Sequence, residues 1–184
     1  MTVMREDFQH NLRTSGPYAA ITMVVWRLGT IAASARGLPR LALKVAYVLA
    51  NHVWVKIIIG SDLSPNVTLG RRLCLPHGGR GLFISNGVSI GDDCTIHQQV
   101  TIGVTLDKSG APQVGDRVYV GAKASVVGPV RIENDCTVGA HAFVLRDVAA
   151  ESVAVGVPAS SRPKSTASGR SSDGLARGPY RPVS

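Results

Sequence analysis

Aliphatic residues recur every six positions through the middle of the chain, and this is its strongest pattern. The series consists of Ile84, Ile90, Ile96, Ile102, Val114, Val120, Val126, Ile132, Val138 and Val144. Four positions after these lies a second series of small or apolar residues: Val88, Cys94, Val100, Val118, Ala124, Val130, Cys136, Ala142 and Val148. A period of six is neither helical nor a two-residue alternation. It predicts short strands joined by tight turns, each hexad forming one side of a repeating coil.

The period is interrupted at two places. Upstream leucines keep the six-residue spacing in a different phase, and the step from Leu75 to Ile84 is nine residues. Three extra residues must therefore be accommodated near Pro76-His77-Gly78-Gly79. The second interruption is at Lys108, which occupies an expected aliphatic position, so we expect residues 104–113 to leave the coil as a loop. Loops that interrupt a rigid scaffold are common places for functional sites.

Two apolar stretches precede the repeats and predict helices. They cover residues 18–35 and 41–59 and are separated by Gly37-Leu38-Pro39. Internal charges such as Arg27 and Lys44 are costly in a membrane-spanning helix. We therefore expect amphipathic helices that pack on the main domain or on a sister subunit, with attachment to a membrane surface as the alternative. The polar stretch before Tyr18 does not resemble a cleavable signal sequence.

Charge is distributed unevenly along the 184 residues. The chain has 20 Lys and Arg against 12 Asp and Glu, a net charge of +8. Residues 1–60 carry +5, residues 61–159 carry −1 and residues 160–184 carry +4. We interpret these as an N-terminal helical segment, a coil domain and a basic tail that is disordered, because it is rich in Ser, Gly, Pro and Arg. The coil lacks the combination of clustered cations and stacking aromatics that nucleic-acid binding requires, so we predict no nucleic acid.

The three cysteines indicate neither a disulfide framework nor a metal site. No Cys-x-x-Cys pair or Cys/His cluster is present, so no bound metal is predicted. Cys94 and Cys136 fall on interior positions of the repeat. We expect them to be packed core thiols.

Several motifs together carry a family resemblance. They are Trp26-Arg27-Leu28, Gly60-Ser61-Asp62-Leu63-Ser64-Pro65, Pro76-His77-Gly78-Gly79, Val100-Thr101-Ile102-Gly103, Lys108-Ser109-Gly110 and Gly156-Val157-Pro158-Ala159. With the hexads, they resemble the serine acetyltransferase branch of the hexapeptide-repeat acyltransferases. This resemblance implies a left-handed parallel β-helix, a mainly β fold. It also implies a homotrimer that binds acetyl-CoA in clefts between neighbouring subunits.

The resemblance also implies a catalytic pair, a histidine with an aspartate fifteen residues before it. His77 and Asp62 have that spacing. Transfer of an acetyl group to a hydroxyl needs a base near neutral pH, and imidazole suits that role. A carboxylate on the other ring nitrogen would fix the tautomer. We therefore predict His77 as general base and Asp62 as its orienting partner, about one coil away.

Acetyl-CoA binding in this family relies on backbone groups along the coils and on basic side chains near the phosphates. The matching positions here are Gly103, Gly121, Ala122, Gly139 and Ala140. The candidates for the phosphates are Lys123, Arg162 and Lys164. For each small residue taken singly, the geometry of the coil is an equally good explanation.

The chain departs from the serine acetyltransferases at two acceptor positions. Pro76 replaces the Asp that precedes the catalytic His, and Gly110-Ala111-Pro112 replaces an Arg-His-Pro triplet that helps to hold the amino acid. The pattern is closer to short acetyltransferases of exopolysaccharide or colanic-acid type. We therefore predict a cytoplasmic O-acetyltransferase acting on a sugar or another small hydroxyl compound.

Two alternatives stay open at this point, and a third is disfavoured. The open ones are a true serine O-acetyltransferase of cysteine biosynthesis and a non-catalytic trimeric scaffold or membrane-associated assembly protein. The zinc carbonic anhydrases share the coil architecture but need a closely spaced histidine pair, which His77, His97 and His141 do not provide. His97 follows an interior position and faces outward, either towards a cleft one coil beyond His77 or towards solvent.

Overall fold

The chain folds as a parallel β-solenoid of about four turns that is preceded by helices. The computed structural model describes residues 2–36, 39–105 and 110–164. The helices are α1 (Thr2–Thr14), α2 (Pro17–Ser34) and α3 (Pro39–Ala50), and α3 continues as a π-helical segment (Asn51–Ile59). The strands are β1 (Asp62–Leu63), β2 (Thr68–Leu69), β3 (Phe83–Ile84), β4 (Ser89–Ile90), β5 (Thr95–Ile96), β6 (Thr101–Gly103), β7 (Gln113–Val114), β8 (Tyr119–Val120), β9 (Ser125–Val127), β10 (Arg131–Ile132), β11 (Thr137–Val138), β12 (Phe143–Val144), β13 (Ser152–Gly156) and β14 (Ala159–Pro163).

Three sheets form the sides of the solenoid. Their strand orders are β1-β3-β6-β9-β12, β10-β7-β4-β2 and β14-β13-β11-β8-β5. All of the pairings are parallel except that of β13 with β14. Successive sides of the coil therefore come from successive hexads, as the sequence predicts. Hexapeptide repeats of this kind fit a left-handed β-helix.

The two aliphatic series form the core of the coil. Every member of the six-residue series is at most 4% exposed, and every member of the second series is at most 5% exposed. Burying each Val or Ile side chain of these series contributes roughly 1.5–3 kcal/mol relative to leaving it in water. Cys94 and Cys136 are fully buried core thiols, as predicted, and burial raises the pKa of Cys94 to about 11.

The change of phase near His77 has a simple structural cause. Leu63 pairs with Ile84, which in turn pairs with Ile102, and the first of these two steps along the chain is the longer by three positions. The three additional residues fall at a tight turn, Pro76–Gly79. Both ends of this turn are anchored, because Leu75 and Leu82 are completely buried. The upstream leucines Leu63, Leu69 and Leu75 thus occupy positions of the coil equivalent to those of the later aliphatic series.

The second interruption lengthens a single coil. Ile102 pairs with Val126, and Val126 pairs with Val144. The first of these two steps along the chain is six positions longer than the second, so the coil that begins at Ile102 contains six additional residues. The additional residues fall between β6 and β7, where the sequence predicts a loop. Lys108 and Ser109 lie outside the described residues.

The two predicted apolar helices are present, and α1 is an additional helix that the sequence analysis missed. Its contact residues are polar. Asn11 is fully buried, donates to the carbonyl of Leu73 at 2.8 Å and accepts from the amide of Leu75 at 3.0 Å. These bonds satisfy the backbone of the first coil, so the face that α1 buries does not show as an apolar stripe.

A buried ion pair joins α1, α2 and the first coil. Arg27 Nε lies 2.7 Å from Asp7 Oδ2, and the side chains are 10% and 1% exposed. The other oxygen of Asp7 accepts from the backbone amide of Arg72 at 2.7 Å. The Arg27 guanidinium also donates to the carbonyls of Leu69 and Gly70. The charge inside the first apolar helix is therefore fully paired, as buried charges need to be.

The C-terminal boundary differs from the one that the sequence predicts. Residues 160–163 do not belong to a disordered tail, because β14 pairs with β13 along its whole length. Serine and arginine side chains are acceptable there because an edge strand is held by backbone hydrogen bonds and its side chains are exposed. The rest of the predicted tail, residues 165–184, lies outside the described residues.

Candidate active site

His77 lies at the exposed tip of the turn Pro76–Gly79. Its backbone is left-handed, with φ 60° and ψ 24°, and Gly78 follows with φ 75°. A non-glycine residue rarely adopts this conformation, so the surrounding structure must hold it. The preceding Pro76 restricts the backbone on the N-terminal side of the turn. The imidazole is thereby presented to solvent on a short, constrained segment.

The N-terminal helices hold this turn through hydrogen bonds. Thr22 Oγ1 lies 3.0 Å from the carbonyl of Gly78 and accepts from Trp54 Nε1 at 3.1 Å. Ser61 Oγ donates to the carbonyl of Gly79 at 2.8 Å. Space is also restricted, because a Cβ on Gly78 would lie 3.0 Å from the Cβ of Tyr18. The helices thus serve as a support for the His77 turn.

His97 lies beside His77 on the next coil. The ring centroids are 6.2 Å apart, and the His97 ring lies 5.0 Å from that of Tyr119 on the coil after that. The pKa of His97 is lowered, first by burial and then by the nearby charge of His77. Of the two orientations that the sequence left open for His97, the structure shows the one directed towards His77.

Asp62 does not contact His77. No hydrogen bond or ion pair joins the two side chains in the part of the chain that the structure describes, although the sequence predicts a pair. The Asp62 carboxylate lies 3.8 Å from Lys56 Nζ, and both side chains are about half exposed or more. Asp62 lies beside Phe83 in register and lines a different cavity, with Ser64 and Pro65. The role of Asp62 stays a prediction.

A cavity of about 400 Å³ opens beside His77. Its lining is formed by Ser15, Tyr18, His77, Gly78, Arg80 and Gln98. Arg80 forms no ion pair with a carboxylate among the residues described. The buried oxygen Gln98 Oε1 accepts no hydrogen bond of ordinary geometry, although the amide is near enough to His97 to favour its protonated form. The side chains of Arg80 and Gln98 therefore line the same cavity as the imidazole.

Arg80 and Gln98 carried no signal of their own in the sequence. Gln98 lies two residues after the end of β5, and Arg80 directly follows the turn Pro76–Gly79. Their positions relative to His77 depend on how successive coils stack. The three-residue insertion was the one available signal, since it marks where the regular wall of the coil is disrupted.

Most of the residues predicted to bind acetyl-CoA form one strip along a corner of the solenoid. Gly121 and Ala122 stack on Gly139 and Ala140 of the next coil, and a Cβ on Gly121 would lie 2.6 Å from the backbone nitrogen of Ala140. Stacking of the coils therefore explains this glycine without a ligand. Lys123 is exposed at the same corner with φ 62°. Gly103 ends β6 on another side of the coil.

Arg162 and Lys164 do not lie with that strip. Lys164 Nζ donates to the carbonyl of Asp135 at 2.5 Å, at the corner that precedes β11, whereas Gly139 follows β11. Arg162 pairs in register with Val153 on the edge strand. Of the three predicted phosphate ligands, Lys123 is the one at the corner formed by Gly121 and Ala140.

Across residues 2–36, 39–105 and 110–164, no three His, Cys, Asp or Glu side chains are grouped so that they could hold an ion.

Comparison with known proteins supports the hexapeptide interpretation. Residues 111–146 match the family model described as bacterial transferase hexapeptide (six repeats). The serine acetyltransferase of Mycobacterium tuberculosis is 39% identical over 107 residues, which is 57% of this chain and 46% of that protein. The serine acetyltransferase of Staphylococcus xylosus is 37% identical over 119 residues, covering 62% of this chain and 55% of that protein. The chain is similar to the hexapeptide-repeat serine acetyltransferases.

A solved structure shows the same likeness. Soybean serine acetyltransferase complexed with serine superposes with a TM-score of 0.70 at 25% identity, covering 88% of this chain and 70% of that one. The chain spans about half the length of the curated relatives it matches. These relatives are named serine acetyltransferases, and the predicted closer likeness to exopolysaccharide and colanic-acid acetyltransferases is not shown.

Proposed function

We propose that the protein is an acetyl-CoA-dependent O-acetyltransferase with free serine as its acceptor. The observation that carries this proposal is the cavity at His77, whose lining combines an exposed imidazole with Arg80 and Gln98. Similarity to serine acetyltransferases supports both the reaction and the acceptor. Because acetyl-CoA is a cytoplasmic metabolite, the proposed location is the cytoplasm.

His77 would act as the general base. Its ring takes the proton from the acceptor hydroxyl while the oxygen attacks the thioester carbonyl of acetyl-CoA. The C–S bond breaks as the ester C–O bond forms, and the CoA thiolate receives the proton from the imidazolium. The constrained turn contributes by holding the imidazole in one position before the substrates bind. Asp62 is proposed to orient the imidazole when both substrates are bound.

The cavity has a partner for each polar group of serine. A carboxylate would pair with Arg80, whose planar guanidinium is suited to bidentate binding. An ammonium group would donate to the hydroxyl oxygens of Ser15 and Tyr18, which also line the cavity. The hydroxyl would then lie at His77. Arg80 would in this way replace the charge that Gly110-Ala111-Pro112 does not supply.

A sugar hydroxyl is the second candidate acceptor. It is favoured by Ala111, which packs against the core, and by Pro76, which is buried; neither offers a charge to an amino acid. A neutral sugar would need hydrogen bonds from Ser15, Tyr18 and Gln98 and would not use the charge of Arg80.

Acetyl-CoA would bind along the corner that carries Gly121, Ala122, Gly139 and Ala140, with Lys123 near a phosphate. In the proposed homotrimer, a neighbouring subunit would complete this cleft. Arg162 and Lys164 would act only from another subunit or at the outer end of the cofactor, because they lie at a different edge.

Free CoA release measured over a panel of acceptors tests this function. The panel contains serine, homoserine, nucleotide sugars and oligosaccharides, with mass spectrometry of the acetylated product. We expect serine-dependent release and O-acetylserine. Release with sugars alone would replace the acceptor but keep the reaction. No acceptor-dependent release from any member of the panel would contradict the acetyltransferase proposal.

A further inference from the structure

An exposed apolar ridge runs along the helix that precedes the solenoid. It consists of Leu41, Val45, Leu49, Val53 and Ile57, spaced four residues apart and each 52–72% exposed. The ridge extends from Leu41 to Ile57, about 24 Å at the rise of an α-helix. Contiguous apolar patches of this length on a soluble surface indicate an interaction site.

Positive charge borders this ridge. Lys44 and Lys56 lie on the exposed side of the same helix, and the stretch from residue 41 to residue 59 contains no Asp or Glu. Lys56 pairs with Asp62 only at 3.8 Å and with both groups exposed, a contact that contributes little. The surface around the ridge therefore combines apolar side chains with lysines, whose long aliphatic chains can place the charged amino groups away from the apolar side chains.

The opposite side of the helix belongs to the protein core. Val55 is completely buried, Ile59 is 4% exposed, and Trp54 stacks on Tyr18 with ring centroids 5.8 Å apart. By length and composition alone, Leu41–Ile59 could cross a membrane, and only 17% of it is buried within the protein. Spanning would remove Val55 and Trp54 from the packing that supports the His77 turn. Lying in the interface plane would preserve that packing.

We propose that this ridge docks on an anionic lipid bilayer, with the helix parallel to the membrane surface. The apolar side chains would enter the headgroup and acyl boundary, while Lys44 and Lys56 would contact anionic headgroups. Charge favours this occupant over a second copy of the chain. Two copies would bring like charges together without any carboxylate on the helix to pair them, whereas the headgroups supply the opposite charge.

Vesicle co-sedimentation of the full chain tests the proposal. Phosphatidylglycerol vesicles are compared with phosphatidylcholine vesicles at low and high salt. We expect binding to phosphatidylglycerol that weakens as salt screens the charges. The double variant Leu49→Asp/Val53→Asp should lose binding, and Lys44→Gln/Lys56→Gln should weaken it about thirtyfold. Leu145→Asp is the control, since Leu145 is also exposed but lies outside the ridge.

Light scattering of the same variants completes the test. The ridge variants should keep the oligomeric state of the native chain and its circular dichroism spectrum. A change of oligomeric state in Leu49→Asp/Val53→Asp would identify the ridge as an interface between copies and overturn the proposal. Absence of binding to phosphatidylglycerol, or equal binding to both lipids, would overturn it as well.

Discussion

At the scale of single residues, His77 combines a strained, left-handed backbone with an imidazole that is exposed to solvent. The turn is held by Thr22 and Ser61, so its conformation does not depend on the His77 side chain itself. Groups that could bind an acceptor, Arg80 and Gln98, face the same cavity. The site is therefore defined by positions that come from three separate stretches of the chain.

Arg80→Gln tests the proposed carboxylate contact. We expect a rise in KM for serine of about tenfold or more, because an ion pair to a bound carboxylate is lost, with a smaller effect on kcat. Steady-state kinetics measure both constants. Arg146→Gln is the matched control, since Arg146 is an exposed arginine outside the cavity. An unchanged KM in Arg80→Gln would remove Arg80 from the acceptor site.

His97 provides a pH-dependent test of the arrangement. Its pKa should lie below the usual value of 6.5, because burial disfavours the charged ring. His77→Asn removes a nearby positive charge and should raise the pKa of His97, while burial keeps it below 6.5. NMR titration of the histidine ring resonances measures both values. A His97 pKa that falls in the variant would contradict the proximity of the two rings.

The same lowered pKa affects folding. The unfolded chain binds the His97 proton more tightly, so stability should fall as pH decreases from about 6.5 towards the pKa of the folded state. Below that value the loss should be complete.

At the scale of elements, buried polar contacts hold the helices on the solenoid. Asp7→Ala should destabilise the protein by about 3–5 kcal/mol, because the Arg27 charge would be left buried without its partner. Glu6→Ala is the control. Glu6 lies 2.8 Å from Arg72, but that pair is about one third exposed and should contribute about 0–1 kcal/mol. Urea unfolding measures both variants, and equal effects would contradict the account of the buried pair.

Coil stacking can be separated from ligand binding at the glycines. Gly121→Ala places a Cβ against the backbone of Ala140 and should cost about 1–3 kcal/mol of stability. Gly103→Ala should cost less, because its Cβ meets the Ser85 hydroxyl at 3.1 Å and that side chain can rotate. Thermal unfolding without ligands distinguishes the two. A Gly121→Ala variant as stable as the native chain would reopen a ligand-binding role as the reason for this glycine.

The sequence predicted the solenoid well because the interior aliphatic residues from Ile84 to Val144 recur every six positions, with one interruption at Lys108. It did not predict α1, whose contacts with the coil are made by Asp7 and Asn11 and leave no apolar stripe. It also predicted contact between Asp62 and His77 from their spacing. That spacing does not show that Asp62 lies beside Phe83 in the first strand while the insertion carries His77 at the tip of a turn.

At the scale of the whole molecule, charge and hydrophobicity are segregated. Residues 61–159 carry almost no net charge, and the excess of positive charge belongs to the N-terminal and C-terminal segments. The helices both support the His77 turn and carry the exposed ridge. The ridge and the His77 turn lie at the same, N-terminal end of the solenoid. If the protein binds a bilayer through this ridge, the candidate active site lies at the end of the solenoid that faces the membrane.

The initial rate of acetyl transfer by His77→Asn tests the central claim most directly. Asparagine tolerates the left-handed backbone at this position but cannot act as a base. With acetyl-CoA and serine in excess, kcat should fall by about 10²–10⁴-fold, the usual contribution of a general base. His141→Asn is the matched control, since His141 is also exposed in a turn with φ 60°, and it should retain the native kcat. A His77→Asn variant that keeps the native kcat would contradict the account.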